Sequence, residues 1–361
     1  MRQALDWRLQ AVSARRSTRD HDRLRPLLVQ RQDGGQSPRP RIAAFLIFQS
    51  GQLPQSLLET CDVLAKQGYA VLVVSNGRLK PNARAALVPR VWRVLERPNL
   101  GYDFGGYREA VMHLWDEGLD PEELLVLNDS VWMIQSVFPD FLARMSSLDA
   151  DVTGSVLRSK KGMQWVESYF FQFRRSALRS PVFRQFWRDY RLIDSKYGVI
   201  RQGERGISVA LAAGGLRIAS LGGNAEFLDR MRLASDDELR LALKYAAPLA
   251  GSEGLRRKEL VSEPPSPDWR KRVIDHIGLV LDGSRVWSSQ FPVAGERVMG
   301  YPFIKKSSEP VQNDWREQIL RAVRDKVVPA PSPAALTEIR KRLEEGATEK
   351  PHWVARSAAA G

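Results

Sequence analysis

Two short and almost unbroken apolar runs, Ile42 to Phe48 and Ala70 to Ser75, bracket a stretch in which Leu57, Cys61, Leu64 and Ala65 recur at helical spacing before Gly68. Runs this short and this apolar read as strands buried on both faces, and the helix between them completes a βαβ unit. The theme repeats with strands at Val91 to Leu95 and Leu124 to Leu127 and a helix from about Gly106 to Glu117 between them. The expected fold class is therefore α/β, a Rossmann-like, mostly parallel sheet with helices on both faces. In such sheets ligands bind outside the carboxyl ends of the strands, so the residues that follow each strand are where chemistry is to be sought.

Further along, Asp151 to Leu157 and Val166 to Phe173 read as strands, Val182 to Leu192 and Gly206 to Ala213 as helices, and Leu216 to Ala219 as a last strand. Residues 231–272 are charge-rich and contain Pro264-Pro265-Ser266-Pro267, which marks an excursion from the core. Residues 1–40 carry nine arginines against four aspartates and end in Asp33-Gly34-Gly35-Gln36-Ser37-Pro38, so they read as a basic arm and linker. Such an arm is either a weakly amphipathic helix meeting lipid phosphates or a solvated tail. Residues 41–326 form the main domain, and 327–361 a Pro-rich linker, a short charged helix at Leu336 to Leu343 and a small-residue tail.

Composition serves mainly to exclude. The chain carries 55 Lys and Arg against 42 Asp and Glu, a net charge of +13, which favours nucleotides, nucleic acid or an anionic bilayer as neighbours. Cys61 is the single cysteine and lies on a helix face with no histidine nearby in sequence, so it reads as a packing thiol in a reducing compartment. No apolar run approaches the ~20 residues of a membrane span, and no secretory core is present. A cytoplasmic protein is expected, with peripheral contact at the inner membrane face through the basic arm. The first strand leads into Gln49-Ser50-Gly51-Gln52 rather than a dinucleotide fingerprint, and no Gly-x-x-x-x-Gly-Lys-Ser/Thr loop or complete nucleophile elbow occurs. The four histidines are scattered without cysteine partners, which leaves a zinc site little support.

What remains is a set of polar residues placed where strands end. Asn99-Leu100-Gly101-Tyr102-Asp103-Phe104-Gly105-Gly106-Tyr107 joins the third strand to a helix and offers glycines, a carboxylate and a helix N-terminus. The next strand finishes in Asn128-Asp129-Ser130, which is either a functional amide and acid or an ordinary turn or cap. Glu167 beside Ser168 and Glu204 at the start of a helix follow; Glu204 alone could be a helix N-terminal acid. Strand alternation would expose Glu167 and Tyr169 on one face and bury Ser168 and Phe170 on the other. Acids so placed on a basic chain suit a metal-assisted reaction on a phosphorylated substrate better than a polyanion-binding surface.

In this order and spacing the motifs resemble the rhamnan synthesis protein F family of bacterial polysaccharide glycosyltransferases, and more distantly the GT-A-fold transferases. The carrying segments are Asn99-x-Gly101-Tyr102-Asp103-Phe104-Gly105, Leu127-Asn128-Asp129-Ser130-Val131, Glu167-Ser168-Tyr169-Phe170, Phe183-x-x-Phe186-Trp187, Glu204-x-Gly206-Ile207-Ser208 and Tyr301-Pro302-Phe303-Ile304-Lys305-Lys306. The resemblance implies a GT-A-like sheet that binds a nucleoside diphosphate sugar, rhamnose among the candidate sugars, and transfers the sugar to a polysaccharide or lipid-linked glycan. It implies donor contacts from Asn99, Gly101, Asp103, Asn128, Asp129, Ser130 and Lys305, with Asp129 as the one formal negative charge of the metal-holding pair. Mg²⁺ or Mn²⁺ would therefore be held weakly. Lys305, Lys306 or Arg205 would share the neutralisation of the leaving diphosphate, although the lysines could equally be solvated surface residues. It implies Glu204 as general base in an inverting transfer, and Glu167, Tyr169 and Trp165 on the acceptor side. Two other readings stay open: a transferase-like binder of glycan or a partner without catalysis, which the amide at Asn128 would tolerate, and a nucleic-acid-binding protein, for which no module is recognisable.

Overall fold

The computed structural model describes residues 2–348 apart from 161, 283–284 and 308. In chain order the elements begin with α1 (Arg2–Leu28), β1 (Gln30–Asp33), β2 (Arg41–Ile47), α2 (Gln55–Lys66), β3 (Ala70–Ser75), α3 (Pro81–Leu87), β4 (Arg93–Glu96), α4 (Tyr102–Asp116) and β5 (Glu123–Asn128). There follow β6 (Val131–Met133), α5 (Phe138–Ser147), β7 (Val152–Gly154), β8 (Leu157–Lys160), β9 (Met163–Val166), β10 (Phe170–Arg174), α6 (Arg175–Arg179), α7 (Pro181–Asp189) and α8 (Lys196–Val199). A π-helical turn (Ile200–Arg205) leads into α9 (Gly206–Ala213) and β11 (Ile218–Ser220). The chain closes with α10 (Asn224–Leu233), α11 (Asp236–Lys244), α12 (Gly251–Ser262), α13 (Pro267–Val280), α14 (Trp287–Gln290), α15 (Pro292–Arg297), β12 (Phe303–Lys305), α16 (Pro310–Arg324) and α17 (Pro333–Thr348). These elements form two compact units, residues 1–129 with 139–223, and residues 130–138 with 224–361.

The first unit is built on an eight-stranded sheet of order β1-β4-β3-β2-β5-β10-β7-β11. Strands β4, β3, β2 and β5 run parallel, with Phe45 opposite both Val73 and Leu127. Strand β10 is antiparallel to β5 and β7, and β1 is antiparallel to β4. The apolar runs explain the centre: every residue of β3 and all but Arg41 of β2 are buried, which requires cover on both faces. On one face Ile42, Ala44 and Leu46 share a core with Phe104, Tyr107, Val111 and Leu114 of α4. Helix α2, which buries Leu57, Leu58, Cys61 and Leu64, packs on β3. Each large apolar side chain so buried contributes about 1.5–3 kcal/mol. The expected α/β class and mostly parallel sheet are thus what the first unit adopts, and Cys61 is a buried, free thiol.

Three stretches differ from the sequence expectation. Residues 30–33, expected within a linker, add β1 to the sheet edge, and the expected solvated or lipid-facing arm is α1, which docks on α4. Buried Arg108 makes paired hydrogen bonds to the two carboxylate oxygens of Asp22 at 2.6 and 2.9 Å, and Leu192 N donates to Thr18 Oγ1 at 2.8 Å. Gly34, which looked like linker glycine, permits a close approach: a Cβ there would lie 2.0 Å from the Val91 carbonyl oxygen. Residues 231–272, expected as an excursion, supply most of helices α10 to α13, and Trp269 is fully buried with its Nε1 donating to Leu260 O at 2.8 Å. The range 41–326, expected as one domain, is divided between the two units.

The second unit has its own core, in which Phe227 stacks on Trp287 at 5.5 Å and Tyr301 packs against Trp287 and Trp315. Its β6 and β12 pair antiparallel, with Trp132 opposite Ile304. The charged helix expected at 336–343 is the middle of α17, and the tail from 349 onward lies outside the described residues. Among the described residues no helix is long and apolar enough to cross a membrane.

Candidate active site

Because β2 to β5 are parallel, their carboxyl ends share one edge, and the polar residues that follow each strand meet there. Phe48 and Gln49 follow β2, Asn76 follows β3, Arg97 follows β4, and Asn128 and Asp129 close β5. Asp129 ties two of these ends together. Its backbone N–H donates to Leu46 O at 3.0 Å, and its Oδ2 accepts from Phe48 N at 3.1 Å and Gln49 Nε2 at 2.6 Å.

The loop from β4 to α4 is held from below by Arg97, which is buried. Its guanidinium donates to Asn76 Oδ1 and to Leu100 O, each at 2.6 Å, and burial pulls its pKa down to about 10. The loop then turns through Gly101 at φ 80° and Tyr102 at φ 49°, and Asn76 Nδ2 donates to Tyr102 O at 3.1 Å. A positive φ suits glycine and is unusual for tyrosine, so this turn is a strained entry into the helix. It places Asp103 in the first turn of α4, where Asn128 Nδ2 donates to its Oδ2 at 3.1 Å. Burial pushes the Asp103 carboxyl up to about 6; the charges of Asp129 and Glu204 push the same way, against the Asn128 hydrogen bond and Lys196.

Glu204 reaches this edge from the π-helical turn that precedes α9. Its Oε1 accepts from Trp165 Nε1 at 3.2 Å, and its Oε2 accepts from Ser168 N at 3.1 Å and Ser168 Oγ at 2.7 Å. Ser168 is there because β10 runs antiparallel: the turn that enters it lies beside the end of β5, with Phe170 opposite Leu127 and Asn128 N donating to Tyr169 O. Tyr107, one turn beyond Asp103, donates its hydroxyl to Ser168 O at 2.9 Å and joins the two halves. The Arg205 guanidinium sits 4.6 Å from the centre of the Trp165 ring.

The structure thus brings together Asp103, Asn128, Asp129, Glu204 and Trp165. Asn99 is exposed on the loop that Arg97 supports, and Gly101 forms its turn. The alternation expected for 167–170 is lost, since a turn at Ser168 and Tyr169 separates β9 from β10; Phe170 is buried as expected and Ser168 is half-buried. Glu167 and Tyr169 are therefore buried; Glu167 pairs with Arg158 at 3.3 Å, and the Tyr169 hydroxyl accepts from Ser155 Oγ at 2.6 Å. Ser130 and Lys305 belong to the second unit, where Lys306 N donates to Ser130 O at 2.8 Å. Arg97, Asn76 and Gln49 were not singled out from sequence, and Ser168 was named beside Glu167 without a role; only their positions just after or just before strands mark them.

Among the described residues no group of three or more His, Cys, Asp or Glu is arranged to hold a metal ion by itself. Mg²⁺, however, is commonly held by one or two carboxylates with substrate phosphates. Asp103 and Asp129 are carboxylates of that kind, near enough that the charge of Asp129 pushes the Asp103 pKa up.

Residues 71–238 match the model of the rhamnan synthesis protein F family. Protein y4gN of Sinorhizobium fredii (strain NBRC 101917 / NGR234), described as uncharacterized, is 29% identical over 207 residues, 56% of this chain and 54% of that protein. The chain thus spans about half the length of the curated relative it matches. Among solved structures, the mannosyltransferase PcManGT from Pyrobaculum calidifontis, in complex with GDP-Man and Mn²⁺, aligns over 94% of this chain and 93% of its own at 9% identity and a TM-score of 0.31. Residues 1–349 of S. aureus TarS in complex with UDP-GlcNAc align over 84% of this chain and 89% of that one, at 11% identity and a TM-score of 0.31. Over residues 71–238 the chain is similar to the rhamnan synthesis protein F family.

Proposed function

We propose that the first unit is a glycosyltransferase that takes a sugar from a nucleoside diphosphate donor. The observation that carries this reading is the gathering of Asp103, Asp129 and Glu204, from three separate stretches of chain, at the carboxyl edge of the parallel sheet, where ligands of such sheets bind. Asp103, Asn128 and Asp129 face the donor, with Asn99 and Gly101 on the adjoining loop. Glu204, fixed by Ser168 and Trp165, takes the proton of the acceptor hydroxyl as that oxygen forms its bond to the anomeric carbon. The bond from that carbon to the diphosphate oxygen breaks with its electron pair, and one displacement without a covalent intermediate inverts the configuration. A divalent ion at Asp129 and Asp103 would supply neutralisation of the leaving diphosphate. The reading rests on residues of the first unit alone. Work at the inner membrane face, on a polysaccharide or lipid-linked acceptor, belongs to the same proposal; its membrane contact would come from exposed arginines of α1 such as Arg15, Arg16 and Arg19.

The test is thermal stability against UDP, GDP and dTDP and their sugars, each with and without Mn²⁺. A rise in Tm for one nucleotide family that Asp103→Ala abolishes supports the reading, and a rise that needs Mn²⁺ assigns the carboxylate pair as its ligands. A flat response to all of them overturns the reading in favour of a glycan or partner binder without catalysis.

A further inference from the structure

A groove of about 630 Å³ lies on the first unit between the β8–β9 hairpin, α9 and β11, a size typical of small-ligand sites. Its walls are mostly apolar, with Met163 from β9, Val209 and Ala212 from α9 and Ile218 from β11, while Gln164 and Ser208 add polar groups. Met163 and Val209 are 43% and 44% exposed, and large apolar side chains left open on one concave surface mark a binding surface more often than isolated ones do. The groove adjoins the candidate base through one side chain. Trp165 lines it and donates its Nε1 to Glu204, and Ser208, another lining residue, stands one turn beyond Glu204 on the same helical stretch.

We propose that this groove holds the apolar part of the acceptor, so that the acceptor is an amphiphile: a hydroxyl-bearing head at Glu204 and a hydrocarbon tail or aglycone along Met163, Val209 and Ile218. The proposal rests on the transferase reading and narrows it. A wholly polar glycan would leave these aliphatic side chains in contact with water and would gain nothing from them, whereas a lipid-linked head group uses both ends of the site.

Binding of n-alkyl β-D-glucosides from methyl to octyl, kept below micelle formation, is measured on the full chain by calorimetry. Affinity should rise several-fold for each pair of added methylenes. The rise should be blunted by Val209→Asp and, separately, by Met163→Glu; both side chains are exposed, so neither substitution opens the core. A series that is flat in the native protein, or equally steep in both variants, overturns the proposal. Thermal shifts with UDP, GDP and dTDP on the native protein keep the two readings apart. Diphosphate binding with a flat series removes the groove and leaves the transferase reading, while a steep series that both variants blunt, without diphosphate binding, removes the transferase and leaves an amphiphile site.

Discussion

Asp103 and Glu204 are both acids at one sheet edge, yet their surroundings assign them different work. Glu204 accepts three hydrogen bonds that fix its orientation, so Glu204→Gln, whose amide can accept at one end only, should lower turnover about 10²- to 10⁴-fold at a modest cost in Tm, with diphosphate binding near that of the native protein. Release of nucleoside diphosphate in a steady-state assay reads this directly, and near-native turnover would remove the base assignment. Asp103 is held in a place that disfavours its charge, with its pKa raised from 3.8 to about 6. The native state therefore binds this proton more tightly than the unfolded chain, and stability falls as pH rises from about 4 to about 6 and stays lower above. Asp103→Asn lacks that penalty, so relative to the native protein it should gain about 2–3 kcal/mol at pH 8 over its standing at pH 4, measurable by urea unfolding. A gap that does not change with pH would mean that Asp103 is ionised without cost. These two acids were visible in sequence because each stands at the boundary of a strand or helix. Their partners were not: Ser168 reaches Glu204, and Gln49 reaches Asp129, only through strand order, which no local pattern encodes.

At the scale of elements, the site depends on how closely the π-helical turn approaches α4. Gly203 lies against Phe104, the neighbour of Asp103, so close that a Cβ would meet the ring carbons at 2.5 Å. Phe104 cannot yield, since Tyr107, Trp187 and Tyr190 surround it at ring-centre distances of 5.4, 6.0 and 5.7 Å. Gly203→Ala should therefore cost about 1–3 kcal/mol by overpacking, and should lower turnover more than donor affinity because it moves Glu204 rather than Asp103. Unchanged stability in thermal unfolding would show that the turn relaxes freely. The central strands were legible because both of their faces are buried and their sequences are apolar throughout. The turn between β9 and β10 was not, because Val166 to Phe173 is apolar enough to read as one strand while the chain reverses at Ser168 and Tyr169.

In the whole molecule, the N-terminal helix is part of the fold of the first unit. Burial tends to raise the Asp22 pKa, but the His21 ring 3.6 Å away and the hydrogen bonds from Arg108 outweigh it and hold it at about 2. That stability is present above the ordinary value of 3.8 and is lost as pH falls toward 2. Asp22→Asn leaves buried Arg108 without its carboxylate and should cost about 1–2 kcal/mol at pH 7, less than a fully buried pair because Asp22 is partly solvated. Denaturant titrations at pH 7 and pH 2.5 check this, and a cost that persists undiminished at the lower pH would sink it. Tertiary contacts of this kind explain why residues 1–40 and 231–272 were misread. The charges and glycines of residues 1–40 look like solvent-facing chain until Arg108 and Val91 are brought beside Asp22 and Gly34, and those of 231–272 until the segment's own helices bury Trp269 and pair Arg270 with Asp236.

Strand β10 has a consequence of a different kind. The ends of the parallel strands carry Asn128 and Asp129, the donor side in the proposed reading, while the one reversed strand in the middle of the sheet carries the turn that steadies Glu204. The two halves thus belong to separate stretches of chain that meet only after folding. The turn before β10 is bonded to both halves, through Asn128 N to Tyr169 O and Tyr107 Oη to Ser168 O, whereas β8 and β9 form a two-stranded sheet of their own, so under the proposed reading drift in that hairpin would alter the acceptor side alone. A lineage built on this sheet can diversify its products one hairpin at a time.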